Sequence, residues 1–410
     1  MKKGLFTHSL NLISAQVSLA VSGVLFWFVA ARMYSVENIG LGSVLISLLS
    51  LLIFISSLGI APTFIRFLPQ EEDRGRLLGT FFVFSISFLI LVCLIFLTGI
   101  NIFMPKLAIL RIPFYSLLFF IFALSMQLFQ VLDSVFIGLK LTHLVLLKSI
   151  IQHFLRIIFL FLMVFLGGFG IFASNCSSAI VAILLSAVYF FLKYTHLKFK
   201  LGVDFSILKK ILPFSLVNFL NALSLSLPGM LFPLVIYSLF SEKEAGFFYI
   251  PWMIFVVYCS FIGSINSIFL MEASYGGNIR ALCRKTLFYS LLLGLAGFLT
   301  FTLLGERILL VFKKDFSQNS LLILKILFSS IFFFIINQAY ITLLNIKKHI
   351  FRVGLISLLM ISGIIIFSLL FISGMKSQAI AYAWLISNFL TTVYILADLA
   401  VKKVRRADIF

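Results

Sequence analysis

Apolar residues run in long unbroken stretches along this chain, and charged and turn-forming residues gather in short clusters between them. Leu77 to Thr98 passes without a single charge, and about 20 such residues in a helix cross the roughly 30 Å of a bilayer's hydrocarbon. Breaking the sequence at the polar clusters predicts spans near 9–31, 39–66, 77–99, 113–138, 148–167, 170–192, 213–240, 247–272, 286–304, 321–346, 352–373 and 377–401. The runs are continuous and do not alternate in period two, which excludes a transmembrane barrel. Helices satisfy their own backbone and are the remaining way across lipid. The expected fold is all-α and integral to the membrane, with about twelve spans.

Composition agrees with the pattern. Hydrophobic residues make up 62% and charged residues 11% of the 410, against about 45–50% and 25% in soluble domains. Little chain is left for an extramembrane domain. The net charge of +19 does not point to nucleic acid, because the cations sit in short loops and not on one face. With the N-terminus placed inside, the outer loops hold Arg32, Lys106, Arg111, Lys243, Arg307, Lys313, Lys314 and Lys376, eight against 22 on the inner side. Lys148 counts among the inner-loop cations in this division. The bias predicts both termini in the cytoplasm. Lys2 and Lys3 precede an apolar run without a small-residue cleavage site, so the first helix is expected to stay attached. Cys93, Cys176, Cys259 and Cys283 are scattered without CxxC spacing, giving neither a metal site nor a disulfide framework. No cofactor is expected.

The longest inner connection, 193–212, carries five Lys and separates six spans from six. The expected organisation is a six-helix bundle over 1–192, a basic linker over 193–212 and a second bundle over 213–410. A repeat supports the division. At an offset of 206, identities fall at Ser9/Ser215, Leu10/Leu216, Ser18/Ser224, Leu19/Leu225, Gly23/Gly229, Leu25/Leu231, Phe26/Phe232, Val29/Val235, Ser35/Ser241 and Gly40/Gly246. A weaker echo at offset 207 sets Lys140 opposite Lys347. With six spans in each copy, both enter the membrane in the same sense, as in a parallel repeat about an axis along the membrane normal.

The turn from Ala31-Arg32-Met33-Tyr34-Ser35 to Gly40, Gly59 followed by Arg66, and Leu212-Pro213-Phe214-Ser215 occur in a characteristic order. With the Ser241 to Gly246 turn and the Lys140 and Lys347 loops, they make nearly the whole chain resemble the oligosaccharide (O-antigen-type) flippases of the polysaccharide exporter family. These are relatives of the multidrug and toxin extrusion transporters. The resemblance implies a multi-pass protein of the cell's inner, cytoplasmic membrane. It implies movement of a polyprenyl-diphosphate-linked glycan between leaflets by alternating access, with no enzymatic step. Membrane lipid, a coupling ion (H+ or Na+) and other membrane proteins of polysaccharide assembly are the partners it suggests.

Such a substrate needs cations inside the membrane. Guanidinium groups suit diphosphate because their fork donates paired, charge-assisted hydrogen bonds, and an ionisable residue inside a span is expensive enough to suggest function. Arg156, about eight residues into span five, is the leading candidate. Arg32 and Arg66 end spans one and two, where snorkelling explains them equally well, and Lys325 opens span ten. Asp133 is weighed both as an ion-pair partner of Arg156 and as a protonation site, and His153 as a titratable neighbour. Pro228, Gly229 and Pro233 predict a break in span seven that would suit a gate. Ser14, Ser18 and Ser22 share one face of span one and would line a polar path or a packing seam. Trp27, Trp252 and Trp384 read as interfacial anchors or as sugar contacts. The resembling transporters that use sodium place acidic ligands on span seven, which has none here.

Two alternatives stay open from the residues. A multidrug or small-solute exporter would use the same architecture or that of the major facilitators, whose Asp-Arg-x-Gly-Arg loop Asp73-Arg74-Gly75-Arg76 approaches with one residue missing. A membrane-embedded polymerase or glycosyltransferase would need a large outer loop or clustered carboxylates, and neither is present in the sequence.

Overall fold

The computed structural model describes residues 2–60, 64, 68, 73–193, 202–274, 278–347 and 349–405. Within them, helices follow the predicted spans one for one: α1 (Lys2–Met33), α2 (Val36–Ser57), α3 (Arg74–Thr98), α4 (Pro113–Gly138), α5 (Thr142–Leu162) and α6 (Gly167–Lys193). The second half continues with α7 (Phe205–Leu239), α8 (Glu242–Ser274), α9 (Ile279–Leu303), α10 in two pieces (Lys314–Ser329 and Ile331–Ile346), α11 (Ile350–Met375) and α12 (Gln378–Arg405). Nine of these are long and apolar enough to cross a membrane, and α10 makes a tenth when its pieces form one span. The stretches Ser18–Met33 of α1 and Ser226–Leu239 of α7 are shorter apolar helices among the described residues.

The helices stop and start where local chemistry dictates. Ser35 caps α2 by accepting from the Asn38 N–H at 3.2 Å, and Leu58 in left-handed conformation ends it. Asp73 caps α3 through the Arg76 N–H at 3.1 Å. The Asp73-Arg74-Gly75-Arg76 segment is thus a helix start, and Arg76 pairs with Asp204 at 3.2 Å. Pro113 opens α4, where its missing donor costs nothing. Asp204 caps α7 through the N–H groups of Ser206 and Ile207 at 2.9 and 3.4 Å.

The predicted break in span seven is absent. α7 is helical without interruption through Pro228, Gly229 and Pro233. A Cβ on Gly229 would come within 2.9 Å of the Trp252 indole nitrogen, so this glycine serves a close helix contact. The break lies instead in span ten, where the two pieces of α10 meet at 42°. Ser329 and Ser330 donate their hydroxyls back to the carbonyls of Lys325 and Leu327 at 2.8 and 2.6 Å. Such back-bonding competes with the backbone ladder and bends a helix.

The chain divides into two compact units, one of residues 1–226 and 233–243 and the other of 227–232 and 244–410. This differs from a boundary at 193–212, because most of α7 packs with the first unit. Ile207, Leu208 and Ile211 of α7 are buried in one core with Leu77, Leu78 and Phe81 of α3, Val135 and Phe136 of α4, Leu144 of α5 and Phe190 of α6. Gly59, at φ 68°, has no room for a side chain because a Cβ would collide with the Ser215 carbonyl. At the other end of α7, Tyr237 donates to the Lys106 carbonyl at 2.9 Å and Lys106 to the Phe240 carbonyl at 3.3 Å. Glu37 and Lys243, equivalent positions of the 206-residue repeat, pair with each other at 3.5 Å. A Cβ on Gly40 would collide with the Glu242 carbonyl, so the repeated turns meet closely.

The core of the second unit is aromatic. Trp252 and Trp384 meet edge to face at 5.1 Å, with Phe255 at 6.1 and 6.0 Å from them. Trp27, Trp252 and Trp384 are all buried, so none is an interfacial anchor.

Candidate functional site

α5 is amphipathic in the inverted sense. Leu147, Ile150, Phe154, Ile158, Phe161 and Leu162 are exposed, whereas Lys148, Ser149, Gln152, His153 and Arg156 are buried. A lipid-facing helix turns its apolar side outward, and the polar side must then find partners within the protein. Arg156 finds α1. Its Nη2 donates to the Ser22 hydroxyl at 2.6 Å, and its guanidinium lies 5.2 Å from the centre of the Phe26 ring. Gly23 adjoins the same group: a Cβ there would sit in ordinary contact, 4.0 Å from Nη2. Ser22 is thus the member of the Ser14, Ser18 and Ser22 face that the arginine uses. His153, one turn before Arg156, is buried, and among the described residues its Nδ1 has no hydrogen-bond partner.

The ion pair in this region is not the one weighed from sequence. Asp133 of α4 bonds to Lys148 at 2.9 Å, and not to Arg156. Lys148 is no loop cation either: its side chain is 0% exposed, while that of Asp133 is 28% exposed. The ammonium also donates to the Phe129 carbonyl and lies 3.3 Å from the Phe129 ring centre. Sequence reasoning missed Lys148 because it stands at a span boundary. The signal was present in the spacing of Lys148, Gln152 and Arg156, every fourth residue on one face.

Arg32 is exposed in the last turn of α1, with its guanidinium 5.6 Å from the Phe28 ring centre, about 15 Å along the helix from Ser22 at about 1.5 Å per residue. There it also complements the negative end of the helix dipole. Lys325 is half-buried on the first piece of α10, in the second unit. Arg66 lies outside the described residues. The first unit also holds a cavity of about 20 Å³ lined by Ser57, Ser85, Gln127, Gln130 and Ser134 together with Phe81 and Val131. That is room for one water molecule.

A membrane-spanning helical chain with a repeated plan and an arginine buried at a helix pair matches the family described as polysaccharide biosynthesis protein over residues 7–270. The chain belongs to that family. No curated protein matches the sequence. Among solved structures, the fold is similar to an inward-facing multidrug resistance MATE family transporter of the MOP superfamily. The TM-score is 0.76 at 12% identity, covering 95% of this chain and 96% of that one. It is similar to the lipid II flippase MurJ in an inward closed conformation, with a TM-score of 0.69, 17% identity and coverage of 95% and 87%. It is also similar to a MOP superfamily transporter from Pyrococcus furiosus, at 0.64 and 13%, over 99% and 97% of the two chains.

These likenesses establish a multi-pass transporter fold of about twelve helices. They replace the major facilitator alternative, in keeping with the capping role of Asp73. The fold is one that solved transporters share.

Proposed function

We propose that this chain moves a polyprenyl-diphosphate-linked oligosaccharide from the cytoplasmic to the outer leaflet of the inner membrane, by alternating access. Both termini lie in the cytoplasm in this reading, as the distribution of Lys and Arg supports. Arg156 holds the diphosphate, exchanging the Ser22 hydroxyl for phosphate oxygens as α1 moves off α5. Arg32, Arg66 and Lys325 assist along the path. The observation that carries the reading is the inverted face of α5, which places a guanidinium within a transporter of the polysaccharide biosynthesis family. An arginine at mid-span costs about 2.5–3.5 kcal/mol on insertion scales, and an anionic headgroup is the ligand that rewards it.

A multidrug exporter is the second reading, favoured by the likeness to a multidrug resistance transporter. A buried guanidinium repels cationic drugs, so the anionic substrate is preferred. Deleting the gene tests the choice. The flippase reading predicts loss of surface glycan and accumulation of its lipid-linked precursor on the cytoplasmic side. Drug sensitivity with normal surface glycan would overturn it.

A further inference from the structure

The polar face of α5 carries a second feature that diphosphate binding does not use. Lys148 is fully enclosed, whereas the carboxylate that pairs with it is partly exposed. Of the two partners, only the carboxylate reaches the surface of the chain. The ammonium is not stranded when the carboxylate takes up a proton, because the Phe129 carbonyl and ring still hold it. Two turns further along the same face stands Arg156, about 12 Å away at about 1.5 Å per residue. Gln152 and His153 lie between them, buried on the same side of the helix.

The ionisable side chains described on the elements packed around the pair include His143, His153 and Arg156 of α5, Arg32 at the far end of α1, Glu37 at the far end of α2, Arg76 and Cys93 of α3, Cys176 and Tyr189 of α6, and Asp204 at the start of α7, which pairs with Arg76. The lining from α6 against Phe129 is Ala179, Ala182 and Ile183. Asp133 is the one carboxylate on α4 and α5, the two helices that build this face. Resting on the diphosphate reading above, we propose that Asp133 is a proton-binding site coupled to anion binding at Arg156, with Lys148 as its positioning residue. Protonating the carboxylate removes one negative charge from the stripe, and the positive potential at Arg156 rises. With an effective dielectric constant of about 20, one charge at about 12 Å changes anion affinity about tenfold. Linkage makes the effect mutual, so the bound anion favours the proton by the same factor. Proton and diphosphate would then favour each other's binding at this face.

Farnesyl diphosphate, titrated calorimetrically into the full-length protein in detergent at about pH 8 and about pH 6, separates this coupling from the ligand's own titration. The wild type is expected to tighten about tenfold more on acidification than Asp133→Asn, which lacks the switchable charge. His153 and the ligand titrate alike in both proteins. Identical pH profiles for wild type and D133N, with binding intact, would overturn the coupling and leave the diphosphate reading standing. Absence of binding to the wild type at either pH would remove that reading and the coupling with it. Should D133N not stay monodisperse, infrared difference spectra of the isotopically labelled wild type serve instead. A protonated aspartate band must grow on acidification and shift to the glutamate position in Asp133→Glu; no such band contradicts the proposal.

Discussion

In the first unit, the contact of α5 with α1 joins Arg156 to Ser22 and Phe26. The repeat places Gly363 of α11 opposite Arg156, and Pro228 and Phe232 of α7 opposite Ser22 and Phe26. In the second unit this counterpart is an apolar cavity of about 10 Å³ lined by Leu227, Pro228, Phe232, Ile361, Ile364 and Ile365. Gly363 has no room for an arginine, since even a Cβ would come within 2.6 Å of the Ser387 hydroxyl oxygen. Likewise Lys148 corresponds to Leu355. The same helical plan therefore forms with or without ions at this place. The fold does not require the charges on α5, and their presence calls for another reason.

Buried polar side chains described in the second unit are neutral, and one group of them is mutually bonded. Asn337 donates to the Asn388 carbonyl and side-chain oxygen at 3.1 and 3.2 Å, Asn388 to the Trp384 carbonyl at 2.9 Å, and Thr392 to the Asn337 side-chain oxygen at 2.9 Å. Tyr340 adds a charged partner at the helix end by donating to Asp398 at 2.6 Å. Neutral networks hold helices together without the sensitivity of an ion pair to loss of one member. The contrast can be broken or sharpened by substitution.

The largest effect is expected from Lys148→Met. It leaves the Asp133 carboxylate without its buried partner and should cost about 3–5 kcal/mol in thermal unfolding in detergent. Removing both charges in D133N/K148M should recover most of that loss. A double variant as unstable as K148M would mean that the pair is not coupled as described. In the neutral network, Asn388→Ala should cost about 1–3 kcal/mol, since it removes the side-chain acceptor of Asn337 and leaves no charge behind. A loss as large as that of K148M would erase the distinction between the units.

Smaller again is the pH effect at Asp204, outside the membrane-spanning segments. The Ser206 hydroxyl first, then the backbone N–H groups of Ser206 and Ile207 and the Arg76 guanidinium, hold its carboxyl below the usual range. A lowered folded pKa contributes stability above the unfolded value of about 3.9, which is lost as pH falls through the folded one. Asp204→Asn should therefore flatten the stability profile only below about pH 4. A difference growing toward neutral pH would contradict that origin. The smallest change in stability is expected from Arg156→Met, which gives α5 an apolar residue like those of α11; replacing buried ions by apolar groups is often neutral. A large loss of stability there would make Arg156 a structural residue.

Most of the fold was legible because hydropathy depends only on where long apolar runs begin and end, and all twelve spans have a helix. What the sequence hid is the competition between local signals and packing. Pro228 and Pro233 announce a break, but α7 stays helical through them. Ser329 and Ser330 announce nothing and bend α10. Arg156 was legible as a charge at mid-span, whereas its partner was not, because Ser22 lies 134 residues away. Lys148 looked like loop chemistry until the apolar residues on the opposite face of α5 showed which side is turned inward.

The central claim is that Arg156 carries function which the fold does not demand. Surface glycan in a deletion strain complemented with Arg156→Ala, scored beside the amount of inserted protein, tests it most directly. Wild-type abundance with surface glycan lost and lipid-linked precursor accumulated is the expected result. Normal display from R156A would contradict it.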